Sequence, residues 1–113
     1  MNIHHTIDYI EFAGKPMLET KAFYTTVFGW SFTDYGPDYT AFESATVSGG
    51  FDASVDPGAS PLVILYSEKL VATREAVMAA GGRIVKEIFA FPGGRRFHFA
   101  DPAGNILAVW SAL

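Results

Sequence analysis

Two short stretches of the chain carry most of its reactive side chains. Tyr9 and Glu11 stand two residues apart near the start, and Arg96 and His98 stand two apart near the end. In an extended strand such pairs share a face. His98, between Phe97 and Phe99, carries an imidazole whose unperturbed pKa of ~6.5 suits it to donate a lone pair or act as a general acid or base. The plain alternative is a half-buried histidine bonded to a neighbour. Glu11 is either a surface carboxylate or an interior one, where desolvation raises its pKa and the Arg96 cation lowers it. Within reach of one another, Glu11 and His98 would be proton-transfer equipment, which spacing alone does not establish. Gly93-Gly94-Arg95-Arg96 invites an anion site, because glycine permits close approach and guanidinium grips carboxylate or phosphate in a bidentate fork. Gly-Gly before a strand is as readily a plain turn, and Arg96 is the better candidate of the two arginines. His4 and His5 are adjacent, so in a strand they would point to opposite faces and could not chelate together.

No G-x-S-x-G, G-x-G-x-x-G or Walker loop occurs in the sequence. Without cysteine there is no disulfide, thiolate metal site or cysteine nucleophile. Eight Lys and Arg against twelve Asp and Glu give a net charge of −4, which leaves no broad cationic surface for nucleic acid or an anionic membrane. With 50% hydrophobic residues, ten Phe, five Tyr and two Trp, the 113-residue chain has the makeup of one core-burying domain, not of a disordered segment. The first ten residues hold no apolar run of signal-peptide length and no stretch approaches a membrane span. The absence of address labels makes a cytoplasmic protein the default expectation.

The positioning elements follow from hydrophobic period and turn residues. Residues 5–12 read as a strand with Ile7, Tyr9 and Glu11 on one face and Ile10 and Phe12 on the other. After Pro16, the recurrence of Leu18, Ala22, Phe23 and Val27 predicts an amphipathic helix of about three turns that stops at Gly29. Runs 30–35, 39–42 and 46–51, separated by Gly36-Pro37-Asp38 and Glu43-Ser44-Ala45, predict a three-stranded meander. Trp30 is assigned to the core. Tyr35, Tyr39 and Phe42 are assigned to meander packing, or to an aromatic set able to stack on a planar ligand. The order then restarts: strand 62–66, Ser67 as N-cap, helix 68–80 ending at Gly81-Gly82, and strands 83–89, 95–100 and 105–111. Each half is strand, helix, three strands. A four-stranded sheet with one helix leaves a bare face, so two such units are expected to curve towards each other around a cleft.

Phe23-Tyr24 followed by Val27-Phe28-Gly29-Trp30, and Phe97-His98-Phe99-Ala100-Asp101-Pro102-Ala103-Gly104-Asn105, resemble the two signature stretches of the vicinal oxygen chelate superfamily, the group of glyoxalase I, bleomycin- and fosfomycin-resistance proteins and extradiol dioxygenases. The resemblance spans essentially the whole chain. It implies a single α+β domain over residues 1–113, with βαβββ modules at about 1–55 and 60–113 whose sheets form an open, barrel-like cleft. It also implies a homodimer and, commonly, a divalent metal held by His and Glu of the first and last strands. The matched metal positions fall at Tyr9, Leu62 and Ala108. Leucine and alanine donate no lone pair and neutral tyrosine is a poor ligand, so no metal or other cofactor is expected. A two-residue slip would bring in Glu11 or Ile7, yet a rebuilt site would still depend on Glu11, His5 and His98.

The same match places Ala108, Ile106 and Trp110 in the cleft with Arg96 and His98, and turns Arg95, Phe97 and Phe99 away. Tyr9, Glu11, Arg96, His98 and Trp110 are therefore the expected ligand-binding residues, with Glu11 and His98 the catalytic candidates. The implied function is metal-independent binding of a small, partly apolar molecule, aromatic or anionic, as in the antibiotic-sequestering branch. A metal-dependent lyase, isomerase or dioxygenase recruiting His5, Glu11 or His98 is the alternative, and a protein-interaction module with a filled cleft is a third.

Overall fold

The computed structural model describes residues 2–44 and 46–113; Ala45, expected in the second meander turn, and Met1 lie outside them. The observed order is β1 (Ile7–Ala13), α1 (Met17–Phe28), β2 (Phe32–Asp34), β3 (Tyr39–Phe42), β4 (Ser48–Asp52), β5 (Leu62–Tyr66), α2 (Leu70–Ala79), β6 (Arg83–Phe91), β7 (Gly94–Ala100) and β8 (Ile106–Ser111). The fold is α+β, with the expected β-α-β-β-β order occurring twice. Two compact units partition the chain: Tyr9–Pro61 forms one, and the residues up to Asp8 join Leu62–Leu113 in the other.

In the Tyr9–Pro61 unit the strands run β2-β3-β4-β1. The meander pairs antiparallel, and β1 returns parallel to β4 with Tyr9 opposite Ser48 and Glu11 opposite Gly50. Strand alternation sends Phe12 and Phe51 to the α1 side, where their rings stack at 5.3 Å and Tyr24 meets Phe51 at 5.2 Å. Trp30 stacks on Phe42 at 4.3 Å and is half-buried, at the margin of the core to which the sequence assigned it.

The inward face of α1 differs from the expected one. Leu18, Phe23 and Val27 are 54–75% exposed, and Met17, Thr20, Lys21 and Tyr24 turn towards the sheet instead. A polar bridge sets this rotation: Lys21 Nζ donates to Asp34 Oδ1 at 2.9 Å, and the buried Thr40 hydroxyl donates to the same oxygen at 2.8 Å. Counting aliphatic side chains misses a helix whose inward stripe is a lysine stem and a tyrosine. Gly29 ends α1 in the left-handed conformation (φ 74°), its N–H bonded to Thr25 O, as expected.

In the other unit the strands run β5-β8-β7-β6, with β5 and β8 parallel and the rest antiparallel. Leu70 of α2 packs on Phe97 and Val109, ringed by Leu65, Val77, Ile84, Ile88 and Phe99. That core fixes which face of the sheet is covered and leaves the alternate residues of β7 and β8 on the other face. The Asp101–Asn105 turn is held by Asp101, whose Oδ1 accepts the N–H groups of Ala103 and Asn105 and whose Oδ2 accepts from Asn105 Nδ2, each at 2.9 Å. The α2 helix starts at Leu70, so Ser67 is not its N-cap; the buried Ser67 hydroxyl accepts the Lys69 N–H from outside the first turn.

The start of β1 is also corrected. Residues 4–6 are a turn and bend, not strand, and His5 has a φ of 60°. His4 and His5 therefore do not face apart: their rings stack at 3.7 Å. Both are tied to the start of α2, His4 Nδ1 accepting the Glu68 N–H at 2.9 Å and His5 Nε2 meeting Thr73 Oγ1 at 3.0 Å.

Candidate functional site

The face of the β5-β8-β7-β6 sheet opposite α2 gathers three of the expected site residues. Cross-strand register places Trp110 beside Arg96 and Arg96 beside Phe89, with Ala108, His98 and Lys86 forming the next row. Irregularities in β6 between Ile84 and Lys86, and between Lys86 and Phe89, make this possible. An unbroken alternation would put Lys86 on the side of Ile84 and Ile88, which face the core; each added residue reverses the phase. The strand thus presents Lys86, Phe89 and Phe91 on the site face.

The Arg96 guanidinium carbon lies 5.4 Å from the Phe89 ring centroid and 5.7 Å from that of Phe91. Both separations are within cation–π range. Trp110 donates its indole N–H to Asp8 Oδ2 at 2.9 Å, stands edge-on to Tyr66 at 5.0 Å and lies 6.0 Å from Phe91. Asp8 accepts a second bond from Asn2 Nδ2, so the indole is anchored by a carboxylate that is itself held. The His98 ring sits 5.8 Å from Phe89, and its Nε2 is buried with no hydrogen-bond partner among the described residues. Burial first, then the charges of Arg96 and Lys86, push the imidazole down to about 4. At neutral pH it is an uncharged donor and acceptor, away from the range in which histidine shuttles protons. Lys86 Nζ rests 4.4 Å from the Phe89 centroid.

Gly93-Gly94 has a backbone role here. Gly93 adopts φ 139°, and a Cβ on Gly94 would collide with the Ser111 carbonyl oxygen. Arg95 is exposed on the covered side, away from Arg96.

Tyr9 and Glu11 share the face of their unit opposite α1 and meet a partner not expected there. Tyr39 donates its hydroxyl proton to Glu11 Oε2 at 2.9 Å, and the Tyr9 and Tyr39 hydroxyl oxygens are 2.6 Å apart. The carboxylate only accepts and Tyr39 has one proton, so Tyr9 is the donor to Tyr39. Burial, reinforced by Tyr9 and Glu11, holds the Tyr39 hydroxyl far above the usual phenol range, which keeps it protonated. Gly50 makes the meeting possible: a Cβ there would collide with Tyr39 Oη and come within 2.6 Å of Tyr9 Oη. Of the three aromatics assigned to meander packing, Phe42 is buried, Tyr35 is 64% exposed, and Tyr39 is a hydrogen-bonding member of this chain. A groove of about 430 Å³ on the α1 side, lined by Phe12, Pro16, Glu19 and Tyr24 among others, contains none of the expected site residues.

Sequence reasoning missed Tyr39, Lys86, Phe89, Phe91 and Asp8. Only Gly49-Gly50 inside a strand gave a local signal, since an interior strand glycine marks close approach.

With this geometry in place, comparison with known proteins assigns the lineage. The profile of the glyoxalase/bleomycin resistance protein/dioxygenase superfamily matches residues 6–109. The chain belongs to this superfamily. Curated protein sequences give no match. Among solved structures, a protein from Legionella pneumophila described as an NAD-dependent benzaldehyde dehydrogenase superposes with a TM-score of 0.71 at 14% identity, over 91% of this chain and 96% of that one. The methylmalonyl-CoA epimerase of Mycobacterium tuberculosis gives 0.71 at 10%, over 98% and 90%. The Mn(II)-bound glyoxalase of Novosphingobium aromaticivorans gives 0.67 at 23%, over 99% of this chain and 40% of that one, so this chain spans less than half of that glyoxalase. At these identities the likeness shows the glyoxalase fold and nothing of the chemistry.

The residues matched to the superfamily's metal positions do not form a donor set. Leu62 and Ala108 have no lone pairs, Ala108 is fully buried between Ile64 and His98 in the sheet register, and the Tyr9 hydroxyl is engaged with Tyr39. A divalent cation does not fit Tyr9, Leu62 and Ala108.

Proposed function

We propose that this superfamily member binds a small molecule with a flat apolar body and an acidic group on the face carrying Arg96, His98 and Trp110, without a metal. One observation carries the reading: a guanidinium positioned over two phenylalanine rings, beside a buried imidazole nitrogen with no hydrogen-bond partner among the described residues. Aromatic rings supply apolar area and stacking, the guanidinium supplies a charge-assisted fork, and a neutral imidazole supplies one directional bond. A thermal-shift screen of aromatic and aliphatic acids tests it, because a ligand at 100 times its Kd adds about 2.7 kcal/mol to the folded state. Aromatic acids should stabilise the protein and Arg96→Ala should weaken them by more than ~1.5 kcal/mol. Stabilisation only by uncharged or cationic compounds, or equal affinity in Arg96→Ala, overturns the proposal.

A second reading, proton transfer, is favoured by the ordered chain Tyr9–Tyr39–Glu11. A proton taken up at Tyr9 while Tyr9 passes its own to Tyr39, and Tyr39 passes its own to Glu11, leaves both tyrosines neutral and Glu11 protonated. Deuterium exchange from solvent into a C–H of a ligand found in the screen, lost in Glu11→Gln, supports an enzyme; no exchange leaves a binder.

A further inference from the structure

Lys86 has no place in the proposed contacts, yet the fold aims it at them. It pairs directly with His98 in the sheet register, and one irregularity of β6 lies on each side of it. Its ammonium makes no ion pair or hydrogen bond among the described residues and rests on the Phe89 ring. The neighbouring Glu87, on the opposite side of the strand, is occupied by Arg74, whose Nη2 bonds Glu87 Oε2 at 2.7 Å. Two cations therefore lie near the Phe89 ring on one face, Arg96 in the same cross-strand row as Phe89 and Lys86 in the next row. His98, whose Nε2 is buried and without a hydrogen-bond partner among the described residues, is the register partner of Lys86. Successive same-face positions on a strand are about 7 Å apart, so the two rows are separated by roughly the width of one aromatic ring.

Given an acidic ligand at Arg96, as proposed above, we infer that Lys86 and His98 form a second anion subsite, so that the molecules bound best carry two acidic groups at opposite ends of a flat apolar frame. The lysine supplies an unpaired charge and the neutral imidazole one hydrogen bond, while Phe89 fills the floor between the two acid groups. A single carboxylate would leave one of the two ends unmatched.

The test is calorimetric titration of the full chain, at low ionic strength, with two probes: benzoate, with one carboxylate, and terephthalate, with two at opposite ends of the same ring. Terephthalate should bind about tenfold more tightly than benzoate. Lys86→Met, which keeps the stem on Phe89, should abolish that preference and leave benzoate affinity unchanged, and Lys86→Arg should retain it. If benzoate binds and terephthalate is no tighter, or if the preference survives Lys86→Met, the second subsite is refuted and the Arg96 site stands. If neither acid binds, the Arg96 site fails as well.

Discussion

Protonating His98 should unfold the protein by a measurable amount. The folded imidazole accepts a proton only near pH 4, whereas the unfolded one does so near ~6.5. Between those limits the unfolded chain binds more protons, so stability is present in full above about pH 6.5 and is withdrawn as the pH falls. From about pH 7.5 to about pH 5 the linkage integral for this one group is roughly 2 kcal/mol, and because the ring is only half-buried, solvent screening reduces the expected loss to about 1 kcal/mol. Urea unfolding at several pH values, followed by tryptophan fluorescence, measures it for the wild type and for His98→Gln, which cannot titrate. Every other side chain is common to the two proteins, so its contribution cancels in the difference. The wild type should lose about 1 kcal/mol more than the variant over that interval. Parallel pH profiles would show that folding does not shift the His98 pKa, and a wild type that gains stability at low pH would show that its charged form is stabilised; either result would refute the account of an imidazole held neutral by burial and two nearby cations.

Other perturbations test the supporting geometry. Gly50→Ala should cost about 1–3 kcal/mol of unfolding free energy by overpacking against Tyr39 and Tyr9, and in a Tyr39→Ala background the same change should cost clearly less. Thr40→Val removes a fully buried hydroxyl bonded to Asp34 and Thr33 O and should destabilise by about 1–2 kcal/mol in chemical denaturation. Asp101→Ala should lower the thermal midpoint and speed amide exchange at Ala103 and Asn105, whose N–H groups lose their acceptor.

The element order was legible because each half alternates a period of 2 with one near 3.6, punctuated by Gly29, by Gly81-Gly82 and by the Asp101–Asn105 turn. The same alternation places Tyr9 with Glu11, Arg96 with His98 and Trp110, and Phe97 with the core, as observed. What the sequence hid was irregular or long-range. A bulge leaves no residue signature in Arg83–Phe91, and without the two irregularities of β6 neither Lys86 nor Phe89 falls on the Arg96 face. The meeting of Tyr39 with Glu11 depends on a strand lying between β1 and β3 and on the glycine it carries there, a relation between residues 28 apart that no local window contains. The rotation of α1 depends on Lys21 finding Asp34, so a count of aliphatic side chains pointed to the wrong stripe.

The charge distribution bears on what can reach the Arg96 face. A chain with a net charge of −4 repels an extended polyanion, whose many phosphates sample the whole surface. A small acid samples only the few ångströms around its landing place, because beyond about 8–10 Å at physiological ionic strength the remaining charges are screened. Over that range the face carries Arg96 and Lys86; the Asp8 carboxylate at its Trp110 edge is held by Trp110 and Asn2, and Glu87 is held by Arg74. The same composition that argues against nucleic acid therefore leaves a small anion a locally attractive site. Affinity for a diacid such as terephthalate should fall as salt is raised, less steeply for the Lys86→Met variant than for the wild type, because one of the two screened attractions has been removed.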